Sequence, residues 1–336
     1  MSFQYSINKT IGLPGLIKEV FNKLSIQRTF LREQVDPVLD EFMARNDGSL
    51  GQQDLDKIHH YYGLAVPAIL GEAFCALRGS IMTDTERWAS SSQGCMTGLF
   101  DDFFDKDYLT DEAVAKMVML DQSTNTRKTN QQLFDYFYLK ALACALDKKA
   151  VQQSLMEVYH AQVLSKKQQN NILPYQELVD ITFLKGGTSL YFYRTVFSPA
   201  ASEQEKELMY GLGGCMQLCN DIFDVYKDRE SGVETLLTTA VHIKPIRALL
   251  LVNLKKYYKA AFGLGYSAGC VRKFLDIISI GIFSRALVCL DQLEANESTT
   301  GNCFRVKAYS RKQLICDMDT TGNKLRSAWK HILQIP

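Results

Sequence analysis

Two groups of oxygen-bearing side chains stand out in this sequence because each is spaced like one face of a helix. Asn220, Asp224 and Asp228 fall at i, i+4 and i+8, so a helix would carry all three on one stripe. Apolar residues fill the positions around them, and neighbouring carboxylates that lose water repel each other unless a positive charge is bound. Oxygen donors with no His or Cys in register suit Mg²⁺ better than Zn²⁺. The pattern predicts part of a magnesium site, with Asp221 as a further ligand.

The second group lies upstream, in the string TGLFDDFFDKDYL at residues 97–109. Asp101 and Asp105 are again at i and i+4, Asp102 lies one residue further round, and phenylalanines surround them. A solvated acidic helix end often gives such a string, so either motif alone would be weak evidence. Two such motifs in apolar frames on different helices favour a metal site with Asp101, Asp102 and Asp105 as ligands.

The elements that must position these motifs are helices. Helical spacing of apolar residues recurs along the chain, and no convincing run alternates with period two, which predicts an all-α protein. We expect a single domain over residues 1–336, in which residues 1–15 form an irregular N-terminal arm ending at Pro14-Gly15.

One predicted helix, which starts at Pro174, contains two adjacent glycines, Gly186 and Gly187. Each glycine in a helix interior costs about 1 kcal/mol relative to alanine, which predicts an interruption or a closely approached backbone. An interruption would aim Lys185 and Thr188 at a ligand, whereas the alternative is a simple turn between two helices. Composition does not separate these two interpretations.

Composition narrows the class of protein. A net charge of +1 argues against nucleic acid as the main partner, and 46% hydrophobic with 22% charged residues is ordinary for a globular protein with a core. Nine cysteines without a C-x-x-C pair are typical of reduced thiols. The first residues lack a signal-peptide pattern, and no window of about twenty residues is apolar enough to span a bilayer. We therefore expect a soluble cytoplasmic protein without a transmembrane segment.

Two aspartate-rich motifs on separate helices of an all-α chain resemble the class I isoprenoid (terpenoid) synthase superfamily. The string GGCMQLCNDIFDVYKD, which begins at Gly213, is similar to the second aspartate-rich motif of trans-prenyltransferases, with Asn220 in place of its first aspartate. Read with spacing four, it is also similar to the N/S/E metal triad of terpene synthases. FLKGGTS, at residues 183–189, is similar to the Lys-Thr segment of prenyltransferases and to the helix break of terpene synthases.

The resemblance implies a helical bundle around a central apolar cavity. There, the two motifs would face each other and hold Mg²⁺, three ions when an allylic diphosphate is bound. The catalytic residues that it implies are Asp101, Asp105, Lys185, Asn220, Asp224 and Asp228. Those implied to bind the diphosphate are Lys185, Thr188, Lys227 and Arg229, with Arg305 and Tyr309 as weaker candidates. Apolar walls are assigned to Phe100, Phe104, Phe183 and Tyr191. The alternative for each cation is a solvated surface charge, and for each aromatic residue an ordinary core position.

The sequence departs from chain-elongating prenyltransferases at the sites that hold a second diphosphate. It has no early Gly-Lys-Arg segment, and DDFFD is followed by Lys106, Asp107 and Tyr108 instead of an arginine pair. This favours a terpene synthase, a carbon–oxygen lyase that cyclises farnesyl or geranylgeranyl diphosphate, of the prenyltransferase-like or squalene/phytoene-synthase-like subgroup. Prenyl transfer and head-to-head condensation of the squalene type stay open. A non-catalytic isoprenoid-binding partner of a prenyl synthase is the rival from another class, and a homodimer also stays open.

Overall fold

The computed structural model is mostly helical over the residues that it describes, which are 3–105, 109–121, 127–169 and 172–335. Among them no β-strand forms, and a single antiparallel bridge joins Gln169 and Val233. The all-α class predicted from the apolar periodicity is therefore confirmed. In chain order the helices are α1 (Phe3–Phe30), α2 (Asp36–Ala44), α3 (Gln52–Asp56), α4 (Tyr62–Ala65), α5 (Glu72–Arg78), α6 (Asp84–Asp105), α7 (Asp111–Val118), α8 (Thr129–Cys144), α9 (Lys148–Ser165), α10 (Tyr175–Arg194), α11 (Glu203–Glu230), α12 (Ile243–Ala261), α13 (Ala268–Ile278), α14 (Ser284–Thr299), α15 (Arg311–Leu314) and α16 (Thr321–Leu333).

The chain divides into two compact units. The unit that contains α6, here called the α6 unit, comprises Lys18–Val163 and Tyr191–Ser202. The α11 unit comprises Met1–Ile17, Leu164–Leu190 and Glu203–Pro336. A single domain over residues 1–336 stays a prediction.

The core of the α6 unit forms around α6 and α8. Its fully buried aromatic side chains include Phe103, Phe134, Phe137 and Tyr138. Burying one such side chain contributes about 1.5–3 kcal/mol, so these residues fix the position of α6 and of the acidic motif at its end.

The core of the α11 unit forms where α11, α12 and α14 pack together. Fully buried leucines come from all three helices, among them Leu212, Leu250 and Leu287. The apolar positions that frame the second acidic motif in the sequence are therefore core positions, which holds its polar residues in a fixed register.

The expected irregular arm at residues 1–15 is wrong from Phe3 onward. Helix α1 begins at Phe3 and passes through Pro14. A proline inside a helix removes one backbone hydrogen bond, but the remaining turns of a helix of 28 residues outweigh that local loss. No helix in the described part of the chain is long and apolar enough to cross a membrane.

Candidate functional site: two acidic helix ends

Both acidic motifs lie at the carboxyl-terminal ends of long helices. The α6 motif occupies the last turn before the helix ends at Asp105, and the α11 motif lies in the last turns before Glu230. Backbone carbonyls give a helix C-terminus a partial negative charge, so a carboxylate there is disfavoured by about 0.3–1 kcal/mol. The last turn of α6 has no basic residue, whereas that of α11 has Lys227 and Arg229. Both ends therefore need further positive or hydrogen-bonding partners.

At the end of α6, neighbouring segments of the same unit supply those partners. Both carboxylate oxygens of the partly exposed Asp101 accept hydrogen bonds, from Tyr62 Oη at 3.0 Å and from Gln162 Nε2 at 2.5 Å. Asp102 is 6% exposed and forms an ion pair with Lys57 Nζ at 2.6 Å. Hydrogen bonds to the ionised form and a nearby cation both favour a carboxylate. The α6 end is thus compensated within its own unit.

Small residues on α6 create the space for these partners. A Cβ added to Gly94 would lie 2.5 Å from the carbonyl oxygen of Tyr62, and one added to Gly98 would lie 2.9 Å from Cδ of Lys57. Gly94, Gly98 and Asp102 follow each other at spacing four, so they share one face of α6. The backbone at Tyr62 and the Lys57 side chain lie on that face, and the π-helical turn Lys57–Tyr61 connects them.

Aromatic rings pack beside the α6 carboxylates. Phe100 is buried, stacks on Phe134 with ring centroids 5.7 Å apart, and meets Phe104 edge-on at 5.3 Å. Phe104 is partly exposed, and its centroid lies 6.1 Å from that of Tyr159. The structure therefore brings the predicted wall residues Phe100 and Phe104 together. The side chain of the predicted ligand Asp105 lies outside the described residues, as do Lys106, Asp107 and Tyr108.

In the α11 unit, the interruption predicted at residues 185–188 is wrong, because α10 runs unbroken from Tyr175 to Arg194. The two glycines serve the other predicted purpose, close approach of the backbone. A Cβ on Gly186 would overlap the carbonyl oxygen of Gly213, and one on Gly213 would overlap that of Gly186. Gly187 packs against Tyr210 in the same way. The helices α10 and α11 therefore touch along their backbones, and the destabilising effect of glycine on each helix is offset by this packing.

The close packing of α10 on α11 buries one carboxylate completely between polar partners. Asp221 is 5% exposed and accepts hydrogen bonds from Thr182 Oγ1 at 3.3 Å and Gln217 Nε2 at 2.9 Å. Burial raises its pKa to about 6, although these hydrogen bonds and Lys185 oppose the shift. Asp221 is therefore held mainly by neutral donors.

The stripe predicted on α11 exists, and its carboxylates are poorly compensated. The amide of the exposed Asn220 donates a long hydrogen bond of 3.5 Å to Asp224. Lys227, with 75% of its side chain exposed, lies 3.9 Å from Asp224. Burial raises the pKa of Asp224. It raises the pKa of Asp228 to about 7, and the negative charges of Asp221 and Asp224 add to that shift.

Lys185 is the best placed of the predicted cations. It is half-buried on α10, and its charge lowers the pKa values of Asp221, Asp224 and Asp228. Within the described part of the chain, its ammonium forms no ion pair or hydrogen bond with them, so it acts on all three from a distance. A ligand anion near Lys185 would not have to displace an existing partner.

The other predicted diphosphate-binding residues divide into internally bonded and exposed ones. Arg229 donates to the carbonyl oxygens of Val306 at 3.1 Å and Tyr309 at 2.6 Å, so it anchors the segment after α14. Tyr309 is buried, and its hydroxyl lies 2.5 Å from Thr300 Oγ1. The hydroxyl of the buried Thr188 hydrogen-bonds to carbonyls one turn earlier in α10. Lys227 and Arg305 are exposed.

The two remaining predicted wall residues lie on α10. Phe183 is half-buried in the α11 unit, and its ring packs against the backbone of Gly214. Tyr191 is half-buried and belongs to the α6 unit.

The donor chemistry of the α11 end fits a hard divalent cation. Asn220, Asp224 and Asp228 can each present a side-chain oxygen, the donor that Mg²⁺ prefers, and burial destabilises the charged form of both carboxylates. Among the residues with described side chains, however, no three His, Cys, Asp or Glu side chains already form a group that could hold a metal ion. Asn220 is an amide and so is not among these residue types, and the side chain of Asp105 lies outside the described residues.

The sequence interpretation missed Lys57, Tyr62 and Gln162, the partners of the α6 carboxylates. Nothing in their own neighbourhoods marks them, since Lys57 and Tyr62 come from one segment and Gln162 from another, both remote in sequence from Asp101. The spacing Gly94-x-x-x-Gly98-x-x-x-Asp102 could have indicated that another segment packs closely on this face of α6.

No protein-family model matches this chain, and no curated protein matches it in sequence. Among solved structures, the chain is similar to the crystal structure of a dehydrosqualene synthase in complex with ligand, at 10% identity and a TM-score of 0.48. The similarity covers 94% of this chain and 97% of the other.

Proposed function

We propose that this protein is a Mg²⁺-dependent terpene synthase that ionises a linear isoprenyl diphosphate, farnesyl or geranylgeranyl diphosphate, and cyclises the allylic cation. The observation that carries the proposal is the stripe on α11. There, Asp224 and Asp228 are partly buried at a helix C-terminus, with the pKa of Asp228 raised to about 7. Partly buried carboxylates of this kind are expected where a bound cation stabilises their charged form.

The residues proposed to hold Mg²⁺ are Asp101, Asp105, Asn220, Asp224 and Asp228, with Asp102 and Asp221 as further ligands from the same motifs. Bound Mg²⁺ would neutralise the diphosphate as its carbon–oxygen bond breaks. Asp102 already pairs with Lys57, and Asp221 already accepts hydrogen bonds from Thr182 and Gln217. These two carboxylates would therefore play a secondary part in binding the metal.

The remaining roles follow from charge and exposure. Lys185 would bind a diphosphate oxygen, because its ammonium is half-buried beside the α11 carboxylates and has no ion-pair partner among the described residues. The other residues proposed to bind the diphosphate are Thr188, Lys227, Arg229, Arg305 and Tyr309. Phe100 and Phe104, with Phe183 and Tyr191, would give the cation aromatic walls that exclude water.

The decisive experiment incubates the purified protein and Mg²⁺ with geranyl, farnesyl or geranylgeranyl diphosphate, each with and without isopentenyl diphosphate. Cyclic hydrocarbons or alcohols formed without isopentenyl diphosphate support the proposal. Longer linear diphosphates formed only in its presence indicate a trans-prenyltransferase. A product that joins two substrate molecules head to head indicates a squalene-type synthase. Binding without any turnover indicates a non-catalytic isoprenoid-binding partner of a prenyl synthase.

A double-mutant cycle tests whether the two acidic ends serve the same diphosphate. Asp101→Asn, Asp224→Asn and the double variant are compared by kcat/KM and by Mg²⁺-dependent binding of a non-hydrolysable diphosphate. If both ends act on one ligand, the losses should be clearly less than additive, because either change alone disables the shared step. Independent, additive losses would contradict a shared site.

A further inference from the structure

Sulfur atoms from two segments meet in the α11 unit, apart from the acidic motifs. Cys289 is buried on α14, and the half-buried Cys316 lies in the connector between α15 and α16. Each thiol shifts the pKa of the other, as side chains that lie close together do. Met318 Sδ lies 3.8 Å from Cys316 Sγ. The proposed function uses none of these residues.

The contact between the thiols is fixed by the packing of the connector on α14. Cys289, Gln292 and Asn296 fall at i, i+3 and i+7, so they share one face of that helix. Gln292 Nε2 donates to the carbonyl oxygens of Gln313 at 2.7 Å and Ile315 at 3.1 Å, and Asn296 Nδ2 donates to that of Gln313 at 2.8 Å. These bonds hold the chain immediately before Cys316 against α14.

The surroundings make the two thiols unequal. The interaction with Cys289 lowers the pKa of Cys316, and Arg326 contributes in the same direction. The same interaction and burial raise the pKa of Cys289. Asn323 Nδ2 lies 3.6 Å from Cys316 Sγ and gives it a further polar neighbour. Cys316 is therefore the accessible thiol with more thiolate character, which is the property that determines attack on a disulfide.

We propose that Cys289 and Cys316 form a reversible disulfide that fastens the α15–α16 connector to α14. The oxidant is a low-molecular-weight disulfide such as oxidised glutathione. The Cys316 thiolate attacks one of its sulfur atoms, which forms a mixed disulfide and releases one thiolate. Cys289 then gives its proton to solvent and attacks the Cys316 sulfur, which forms the protein disulfide and releases the second thiolate. One small disulfide becomes two thiols, and two protein thiols become one disulfide.

A disulfide here would hold the C-terminal part of the α11 unit more firmly. The connector leads into α16, whose Arg326 and Lys330 form ion pairs with Asp291 on α14 at 3.1 and 2.8 Å. A disulfide would add to these ion pairs a covalent cross-link that restricts the unfolded chain. Trypsin sites at the exposed Arg311 and Lys312 lie just before the connector, so protection there reports the cross-link.

The test equilibrates the full-length protein in glutathione buffers of stepped oxidised-to-reduced ratio, blocks free thiols with N-ethylmaleimide and digests the chain. Mass spectrometry should find a peptide pair joined through Cys289 and Cys316, with both residues losing maleimide label together. Cleavage at Arg311 and Lys312 should slow several-fold in the oxidised protein. Cys303→Ser is the matched control, since Cys303 is a half-buried free thiol in the same unit, and it should leave both results unchanged.

Three outcomes would overturn the proposal. In the first, Cys316 remains a mixed disulfide with glutathione at every ratio, which would mean that Cys289 does not resolve it. In the second, Cys289 links to Cys219, the buried α11 thiol within electrostatic range of it. In the third, both cysteines keep their label at ratios that oxidise Cys303. A Cys289→Ser variant separates the steps, because it should trap the mixed disulfide on Cys316.

Discussion

The two acidic helix ends resemble each other in sequence and differ in how their charge is compensated. At the end of α6, Asp101 accepts hydrogen bonds on both oxygens and Asp102 pairs with Lys57 at 2.6 Å. At the end of α11, Asp224 has only a long contact from Asn220 and a lysine at 3.9 Å, and the pKa of Asp228 is raised to about 7. The described carboxylates of one end are stabilised by their own unit, whereas the nearby lysines compensate those of the other end only weakly.

This difference teaches that similar spacing does not imply similar dependence on a cation. At the α6 end, hydrogen bonds to Asp101 and the ion pair between Asp102 and Lys57 favour the ionised form. The carboxylates at the α11 end gain more from a divalent ion, because it would relieve both burial and mutual repulsion. We therefore expect the α11 end to dominate Mg²⁺ binding, and the predictions below test this contrast.

The largest expected effect is the loss of activity in Asp224→Asn. Removing one charge from the proposed Mg²⁺ ligands should lower kcat/KM by about 10²–10³-fold, the range found when a single electrostatic group is removed from an active site. The measurement is product formation from the best allylic diphosphate at saturating Mg²⁺. Glu207→Gln, an exposed carboxylate at the other end of the same helix, is the control and should keep activity. A loss below about fivefold in Asp224→Asn would contradict a ligand role.

Replacing a glycine near each acidic helix end should lower the free energy of unfolding by different amounts. A Cβ in Gly186→Ala would overlap the backbone of Gly213, which cannot move aside, so we expect a loss of about 3 kcal/mol or more in the free energy of unfolding. Gly98→Ala meets the side chain of Lys57 at 2.9 Å, which can shift, and should lose about 1 kcal/mol. Urea denaturation measures both, with Gly322→Ala as the baseline because no atom lies within 4 Å of its added Cβ. Equal losses of unfolding free energy in the two variants would contradict the close backbone contact between α10 and α11.

Removing the internal cation should make the α6 end resemble the α11 end. Lys57→Met removes the ion pair with the buried Asp102, which should lower the free energy of unfolding by about 2 kcal/mol, less than for a fully buried pair because Lys57 is 26% exposed. The double variant Lys57→Met/Asp102→Asn should recover most of that loss. An unchanged urea midpoint in the single variant would show that Asp102 is compensated by other groups.

The smallest expected effect has the opposite sign. In metal-free protein, Asp228→Asn should raise the free energy of unfolding at pH 8 by about 1 kcal/mol, since one pKa unit corresponds to about 1.4 kcal/mol and solvent screening reduces the effect. The pKa of Asp228 is raised from 3.8 to about 7 in the folded protein. The protonated side chain therefore contributes its full stabilisation of the folded state below pH 3.8, and this stabilisation is lost as pH rises through 7. The gain should therefore vanish near pH 4.

Thermal unfolding in EDTA at pH 4 and pH 8 measures this gain. Glu207→Gln, which changes the same charge at an exposed position, should show no such difference between the two pH values. If Asp228→Asn lowered stability at pH 8 without metal, the carboxylate would already have a partner and the contrast between the two ends would fail.

Some features of this protein follow from its sequence alone. The all-α class and the i, i+4, i+8 register of Asn220, Asp224 and Asp228 are local, because the period of a helix is set by backbone hydrogen bonds between near neighbours. The α6 register of Asp101 and Asp105 is local for the same reason. The predicted interruption at Gly186 and Gly187 failed because glycine composition reports low helix propensity and cannot report which backbone packs against it.

Only the tertiary structure decided how each charged group is compensated. Gln162 reaches the end of α6 from a segment remote from Lys57 and Tyr62, and Arg229 donates to the carbonyl oxygens of Val306 and Tyr309. Spacing along one helix places a carboxylate on a face. Whether that carboxylate is neutralised, desolvated or left for a cation depends on distances to groups that are remote in sequence, and those distances exist only once the helices have packed.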